Sequence, residues 1–242
     1  GKVGIFGFAA YMVSVLQAPF RSIVAITVPI LSRAWKKKDF TEIQRIYQLA
    51  SINLLRFSLF IFCLIWLNYT PGITFFGINP EYLEGRWVFF ILGVVAIIEL
   101  GTGVNGQIIG TSVFWRFELW TSLLLTALII PLSYTLTVKY GIIGPAVANL
   151  VSFSVYNFVR FWFLWKRFNM QPFTSKTLEV IGIAFLSYAI CYFIFLNMEG
   201  LIGLILRSTL FVILYVAGIY IRKISPDLVP VIENVKKRFG IR

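Results

Sequence analysis

The chain alternates between long apolar runs and short connectors rich in positive charge. Seven runs stand out: Ile5–Leu31, Ala50–Leu67, Trp87–Ile109, Leu119–Val138, Ile142–Leu164, Leu178–Leu196 and Leu201–Ile221. Each is near the length of about 20 residues that a helix needs to cross hydrocarbon. Ile91–Leu100 shows no period-two pattern, so the strands of a closed barrel are not expected. Helices remain, because in lipid every backbone group must be paired within its own segment. The expected fold is all-α, a polytopic integral membrane protein with about seven transmembrane helices.

Composition excludes a soluble globule. Of 242 residues, 59% are hydrophobic and 13% charged, against roughly 45–50% and about 25% in an ordinary soluble domain. There is no His, and the two cysteines, Cys63 and Cys191, lie inside apolar runs. That removes the ligands of a His/Cys metal cluster and the base of a His-dependent nucleophile, so no catalytic residue, metal or cofactor is expected. The net charge of +12 points to membrane lipids rather than nucleic acid, since basic loops of polytopic proteins face anionic lipid.

The cations also orient the chain. Sixteen of the 22 Lys and Arg fall in the loops after the first, third and fifth runs or in the tail, Arg160 counted among them; Lys2, Arg86 and Lys139 fall on the other side. The positive-inside rule then places Lys36-Lys37-Lys38 and the C-terminus in the cytoplasm and the N-terminal end outside. An outside start, an odd number of spans and a first residue other than Met fit the second half of a longer protein.

Arg21, Arg56 and Arg207 lie within apolar runs, where a charge costs about 2.5–3.5 kcal/mol on insertion scales and faces protein or water. Arg21 is about 15 Å of helix rise from the end of its run, too far to snorkel comfortably. Arg56 shares a helical face with Arg45 and Asn53, a basic ladder whose forked donors suit phosphate; snorkelling is the plain alternative. Arg207 reads as a snorkelling anchor or a partner for Glu199. In the third run Glu99, Gly103, Gly106 and Gly110 fall on one face, where small residues admit a neighbouring helix. Glu99, flanked by Thr102 and Asn105, offers an ion-pair partner for Arg21 or Arg56, or a binder for a coupling proton. Asn149, Ser152, Tyr156 and Arg160 form a polar stripe that lines water or joins helices. Pro19, Pro29 and Pro131 fall inside runs and are expected to bend them. In the tail, Leu228, Val231, Ile232, Val235 and Phe239 beside Lys236, Lys237 and Arg238 make an interfacial amphipathic helix.

Two passages carry a likeness. One runs from Gly4 through Tyr11, then Pro29-Ile30-Leu31-Ser32-Arg33-Ala34-Trp35, Asp39 and Ile43–Tyr47; the other is Tyr140-Gly141-Ile142-Ile143-Gly144-Pro145-Ala146-Val147-Ala148. In order and spacing they resemble the bacterial O-antigen and exopolysaccharide flippases of the multidrug/oligosaccharidyl-lipid/polysaccharide exporter superfamily, from Gly1 to about Arg167. The resemblance implies helices eight to fourteen of a fourteen-helix exporter. Residues 1–168 would form the five-helix part of its C-terminal lobe, 169–222 two added helices, and 223–242 a basic cytoplasmic tail. It further implies a cationic cavity that turns over undecaprenyl-pyrophosphate-linked oligosaccharide across the bacterial inner membrane for surface polysaccharide biosynthesis. Arg21, Arg56 and Asn53 are the positions whose chemistry and placement suit the pyrophosphate. The implied partners are that substrate, the missing N-terminal half and other polysaccharide assembly proteins.

Two other functions stay in view. A multidrug cation antiporter of the same superfamily needs cavity carboxylates, whereas Arg outnumbers Glu within these runs. A membrane-embedded polysaccharide polymerase needs an ordered site outside the bilayer, and Asn68–Arg86 offers Glu81, Glu84 and Arg86 without a clear acid/base pair.

Overall fold

The computed structural model describes residues 1–196, 198 and 200–224. The expected tail helix and Glu199 lie outside them. The described chain is helical, with no strand. Its helices are α1 (Lys2–Leu16), α2 (Ala18–Lys37), α3 (Phe40–Phe75), α4 (Arg86–Gly101), α5 (Asn105–Gly110), α6 (Trp115–Tyr140), α7 (Gly144–Phe168), α8 (Ser175–Ile194) and α9 (Gly200–Ile221). Short 3-10 turns at Pro80–Gly85 and Gly141–Ile143 precede α4 and α7.

Local chemistry explains several boundaries. Lys38 takes the left-handed conformation that ends α2, and the Asp39 carboxylate accepts from the Glu42 amide at 3.0 Å to begin α3, an N-cap that satisfies one orphan donor of the first turn. Pro19 falls in the first turn of α2, where its missing N–H costs nothing; the chain bends by 42° between α1 and α2. Asn169 ends α7 in the left-handed conformation, and Thr174 and Thr177 cap each other's backbone at the start of α8.

Four helical runs are long and apolar enough to cross a membrane, or up to five when the bent α1–α2 pair counts as one span. This is a membrane-embedded helical protein. The difference from seven apolar runs has identifiable causes. The first run is the bent pair. The third breaks at residues 102–104, leaving an α4 of 16 residues; Gly103 sits at φ +67, a conformation that glycine adopts without strain, and the Thr102 hydroxyl donates to the Glu99 carbonyl at 2.8 Å. The expected single face of Glu99, Gly103, Gly106 and Gly110 is therefore split between α4, the break and α5. The fourth and fifth runs form one apolar stretch, Trp115–Phe168, folded back on itself at Gly141, which has φ +60. Phe117 stacks on Phe163 with centroids 4.1 Å apart, and Gly144 lies against the Leu136 and Thr137 backbone where no Cβ fits.

Packing centres on α3 and α4. The central core gathers α1, α3 and α4 with α8 and α9 laid against α3, around Leu54, Phe62, Phe89, Leu100 and Phe211. A second core, at one end, joins Leu31, Ile43, Tyr47, Val104, Ile108, Leu164 and Met170. There the Trp35 indole donates to the Ile108 carbonyl at 2.9 Å, and Gln44 exchanges two hydrogen bonds with the Gln171 backbone. Lys36, Lys37, Arg45, Arg116, Lys166 and Arg167 stand exposed around this core, so the basic connectors converge on one end of the bundle.

The outer surfaces differ in character. On α6 and α8 they carry large apolar groups, Leu119, Leu123, Ile130, Leu178, Phe185 and Phe193 among them, as contact with acyl chains requires. The exposed side of α1–α2 carries Gly4, Gly7, Tyr11, Ser14, Ala18, Arg21, Ser22, Ala25 and Pro29 together with the apolar Val3, Val15 and Ile26, a face of smaller and more polar groups than those on α6 and α8.

Candidate functional site

Arg21 stands on that exposed face of α1–α2. It is exposed, and no described residue forms a hydrogen bond or ion pair with it. Arg56 and Asn53 are half-buried on α3. Arg56 borders a groove between α3 and α9 with Phe57, Phe60, Tyr215, Val216 and Ile219, and its carbonyl accepts from the Tyr215 hydroxyl at 2.8 Å. Arg45, the outer rung of the expected ladder, is held by Glu42 one turn away at 2.6 Å. Arg21 and Arg56 thus belong to different helix pairs.

The structure builds its densest polar site elsewhere, under the basic end, from residues of α3, α4, α5, α6 and α7. Arg160 is buried, and its guanidinium donates to the Glu118 carboxylate and, at 3.3 Å, to the Thr121 hydroxyl. The Tyr156 ring lies 3.7 Å from it in cation–π geometry. Glu99 is within electrostatic reach of the same guanidinium and accepts from the Gln17 side chain at 3.2 Å. Around them the Asn105 amide donates to the Asn157 amide oxygen at 3.3 Å, and the Thr102 hydroxyl oxygen lies 2.9 Å from the same atom. The Tyr47 hydroxyl, also in electrostatic reach of Arg160, is buried without a hydrogen bond, as is one Glu118 oxygen.

Glycines make this assembly possible. A Cβ on Gly106 would meet Arg160 Nη1 at 3.0 Å and Glu118 Oε1 at 3.2 Å; one on Gly103 would meet the Ser51 backbone at 3.1 Å. Beside them the Ser51 hydroxyl donates to the Gly101 carbonyl at 2.5 Å. Small residues do admit neighbours closely here, through a broken helix rather than a continuous stripe.

Several expectations need correcting. Arg160 is not a cation of the cytoplasmic surface but part of the interior, because the hairpin folds it against Glu118. The cation that reaches Glu99 is Arg160, where Arg21 and Arg56 were the expected partners. Of the stripe on α7, Tyr156 and Arg160 meet; Ser152 is buried with its hydroxyl unpartnered, and the Asn149 amide bonds back to the Pro145 carbonyl of its own helix. Arg207 does not snorkel. It is buried and donates to the carbonyls of Leu67, Phe195 and Met198 at 3.2, 2.9 and 2.9 Å. Gln17, Glu118, Thr121 and Asn157 join the site without having been singled out.

Chemically the site combines two carboxylates with one guanidinium, linked through Gln17 to the α1–α2 bend. Among the described residues no group of His, Cys, Asp and Glu could hold a metal ion. Comparison of the chain with known protein families, with curated proteins and with solved structures finds no match.

Proposed function

We propose that the protein is a flippase that carries undecaprenyl-pyrophosphate-linked oligosaccharide across the bacterial inner membrane for surface polysaccharide assembly, its basic end in the cytoplasm. The reading takes the bent α1–α2 pair, α3, α4 with α5, α6, α7, α8 and α9 as seven membrane passages. It rests on the resemblance of the Pro29–Tyr47 and Tyr140–Ala148 passages and on the physics of the α1–α2 face.

Arg21 carries the argument. An exposed guanidinium in the middle of the bent α1–α2 span is costly against acyl chains, and the exposed groups around it are mostly Gly, Ala, Ser and Tyr, with Val15 and Ile26 among them. Such a face suits a water-filled passage. A lipid-linked sugar cannot cross hydrocarbon unaided, because each unpartnered polar group costs several kcal/mol there. A wetted groove with a forked phosphate donor removes that penalty while the polyprenyl chain stays in lipid. In this reading the Gln17–Glu99 hydrogen bond couples the α1–α2 face to the Glu99, Glu118 and Arg160 site, where binding of a driving ion would be felt, and rocking of helices opens the passage to alternate sides.

The test is Arg21→Ala in cells that depend on this protein for their surface polysaccharide. Loss of polymer with normal insertion of the protein is expected; normal polymer from that variant overturns the proposal.

A further inference from the structure

At the end of the bundle away from the basic core, α3, α8, α9 and the start of α4 line a half-open cavity of about 240 Å³. Its polar lining comes from Trp66, Thr70, Arg86, Tyr188, Tyr192 and Arg207. Arg86 lies over the Trp66 ring at 4.5 Å, and its Nε is buried without a hydrogen-bond partner. Trp66 and Tyr188 line the cavity together. Arg207 spends its terminal nitrogens on backbone carbonyls, so it brings charge to the cavity but keeps those donors for the fold.

Two guanidinium groups therefore border one pocket, and no Asp or Glu is among the described residues that line it. Arg86 is half-buried, and no carboxylate among the described residues pairs with it, an arrangement that suits an anion. Arg86 offers the means: a planar fork stacked on Trp66 whose guanidinium makes no hydrogen bond to a described residue. The cavity is smaller than the about 300–1,000 Å³ of a typical small-molecule pocket, which suits a headgroup rather than a whole amphiphile. Its rim is exposed and apolar at Leu196 and Met198, with Tyr192 beside them.

We propose that this cavity binds the phosphate of an anionic phospholipid headgroup, with Arg86 as the principal donor and the acyl chains lying outward over Leu196 and Met198. The site is separate from the α1–α2 face and does not depend on what the protein transports.

Native mass spectrometry of the purified protein, given equal amounts of phosphatidylglycerol and phosphatidylcholine, tests it. Retention of phosphatidylglycerol should exceed that of phosphatidylcholine about tenfold, because both lipids carry the phosphate but the choline ammonium cancels the net charge that Arg86 would pair with. Arg86→Gln should bring the ratio to about one, while Lys139→Gln, which changes an exposed cation outside the cavity, should leave it high. If Arg86→Gln fails to fold, Trp66→Phe replaces it, and partial loss is expected because the indole that orients Arg86 is gone. Displacement of phosphatidylglycerol by millimolar inorganic phosphate would keep the phosphate site but assign it to the free ion. Equal retention of the two lipids by the unaltered protein, or an unchanged ratio in both variants, overturns the proposal.

Discussion

Arg160 on α7 donates to the Glu118 carboxylate on α6, closing the hairpin with an ion pair inside an apolar interface. Removing one partner of such a pair leaves the other charge buried and uncompensated, at about 3–5 kcal/mol, whereas replacing both with apolar groups of similar volume is often neutral or stabilising. Arg160→Ala is expected to destabilise by that amount, and Arg160→Met with Glu118→Leu by much less. Unfolding in detergent micelles, followed by loss of helical circular dichroism, checks the difference.

Glycine substitutions grade the tightness of the site. Gly106→Ala forces the Arg160–Glu118 pair to shift, at about 1–3 kcal/mol. Gly103→Ala should cost more, because it combines a left-handed backbone, about 1–2 kcal/mol for an L-residue, with a collision against Ser51 backbone that cannot rotate away. Gly182 on α8 has nothing within 4 Å of a new Cβ. Gly182→Ala should therefore stabilise by about 0.5–1 kcal/mol through helix propensity, and the order of the three melting temperatures tests the packing directly.

Arg207 holds the turn between α8 and α9 by bonding two carbonyls near the end of α8 and one on α3. Arg207→Met would strand those carbonyls, each at about 1–3 kcal/mol when buried. The expected result is a lower melting temperature and faster protease cleavage between α8 and α9. Arg207→Lys should fall between, since an ammonium keeps the charge but not the fork.

Gln17 links the α1–α2 bend to Glu99. Its side chain is exposed, so Gln17→Leu should change stability by no more than about 0.5–1.5 kcal/mol. The bend should loosen instead: the distance distribution between spin labels at Tyr11 and Ala25 should broaden. A distribution as narrow as that of the unaltered protein would show that the bend is set by Pro19 and packing alone.

The sequence made the helical class, most helix positions and the Pro19 bend legible, because hydropathy and proline act locally. The break at Gly103 was not, since Gly101-Thr102-Gly103 is compatible with a membrane helix until the hydrogen bonds show which carbonyls Thr102 and Ser51 take. By sequence Arg160 falls among the surface cations, because it lies near the end of an apolar run. Its depth is decided by the hairpin. Glu118 and Arg160 stand at nearly the same distance on either side of Tyr140, so folding back there brings them level, a signal that lies in register rather than in composition. The partners of Arg207 are backbone carbonyls, which leave no mark in a side-chain pattern, so its burial is not legible in the sequence.

The account turns on Arg21 presenting a phosphate donor to a wetted face. The most direct measurement is the rate at which reconstituted vesicles move a pyrophosphate-linked oligosaccharide lipid from one leaflet to the other. The unaltered protein should accelerate it, and Arg21→Ala should slow it at least about tenfold, the loss expected for one charge-assisted hydrogen bond. Equal rates for the two proteins, or no acceleration by either, would contradict it.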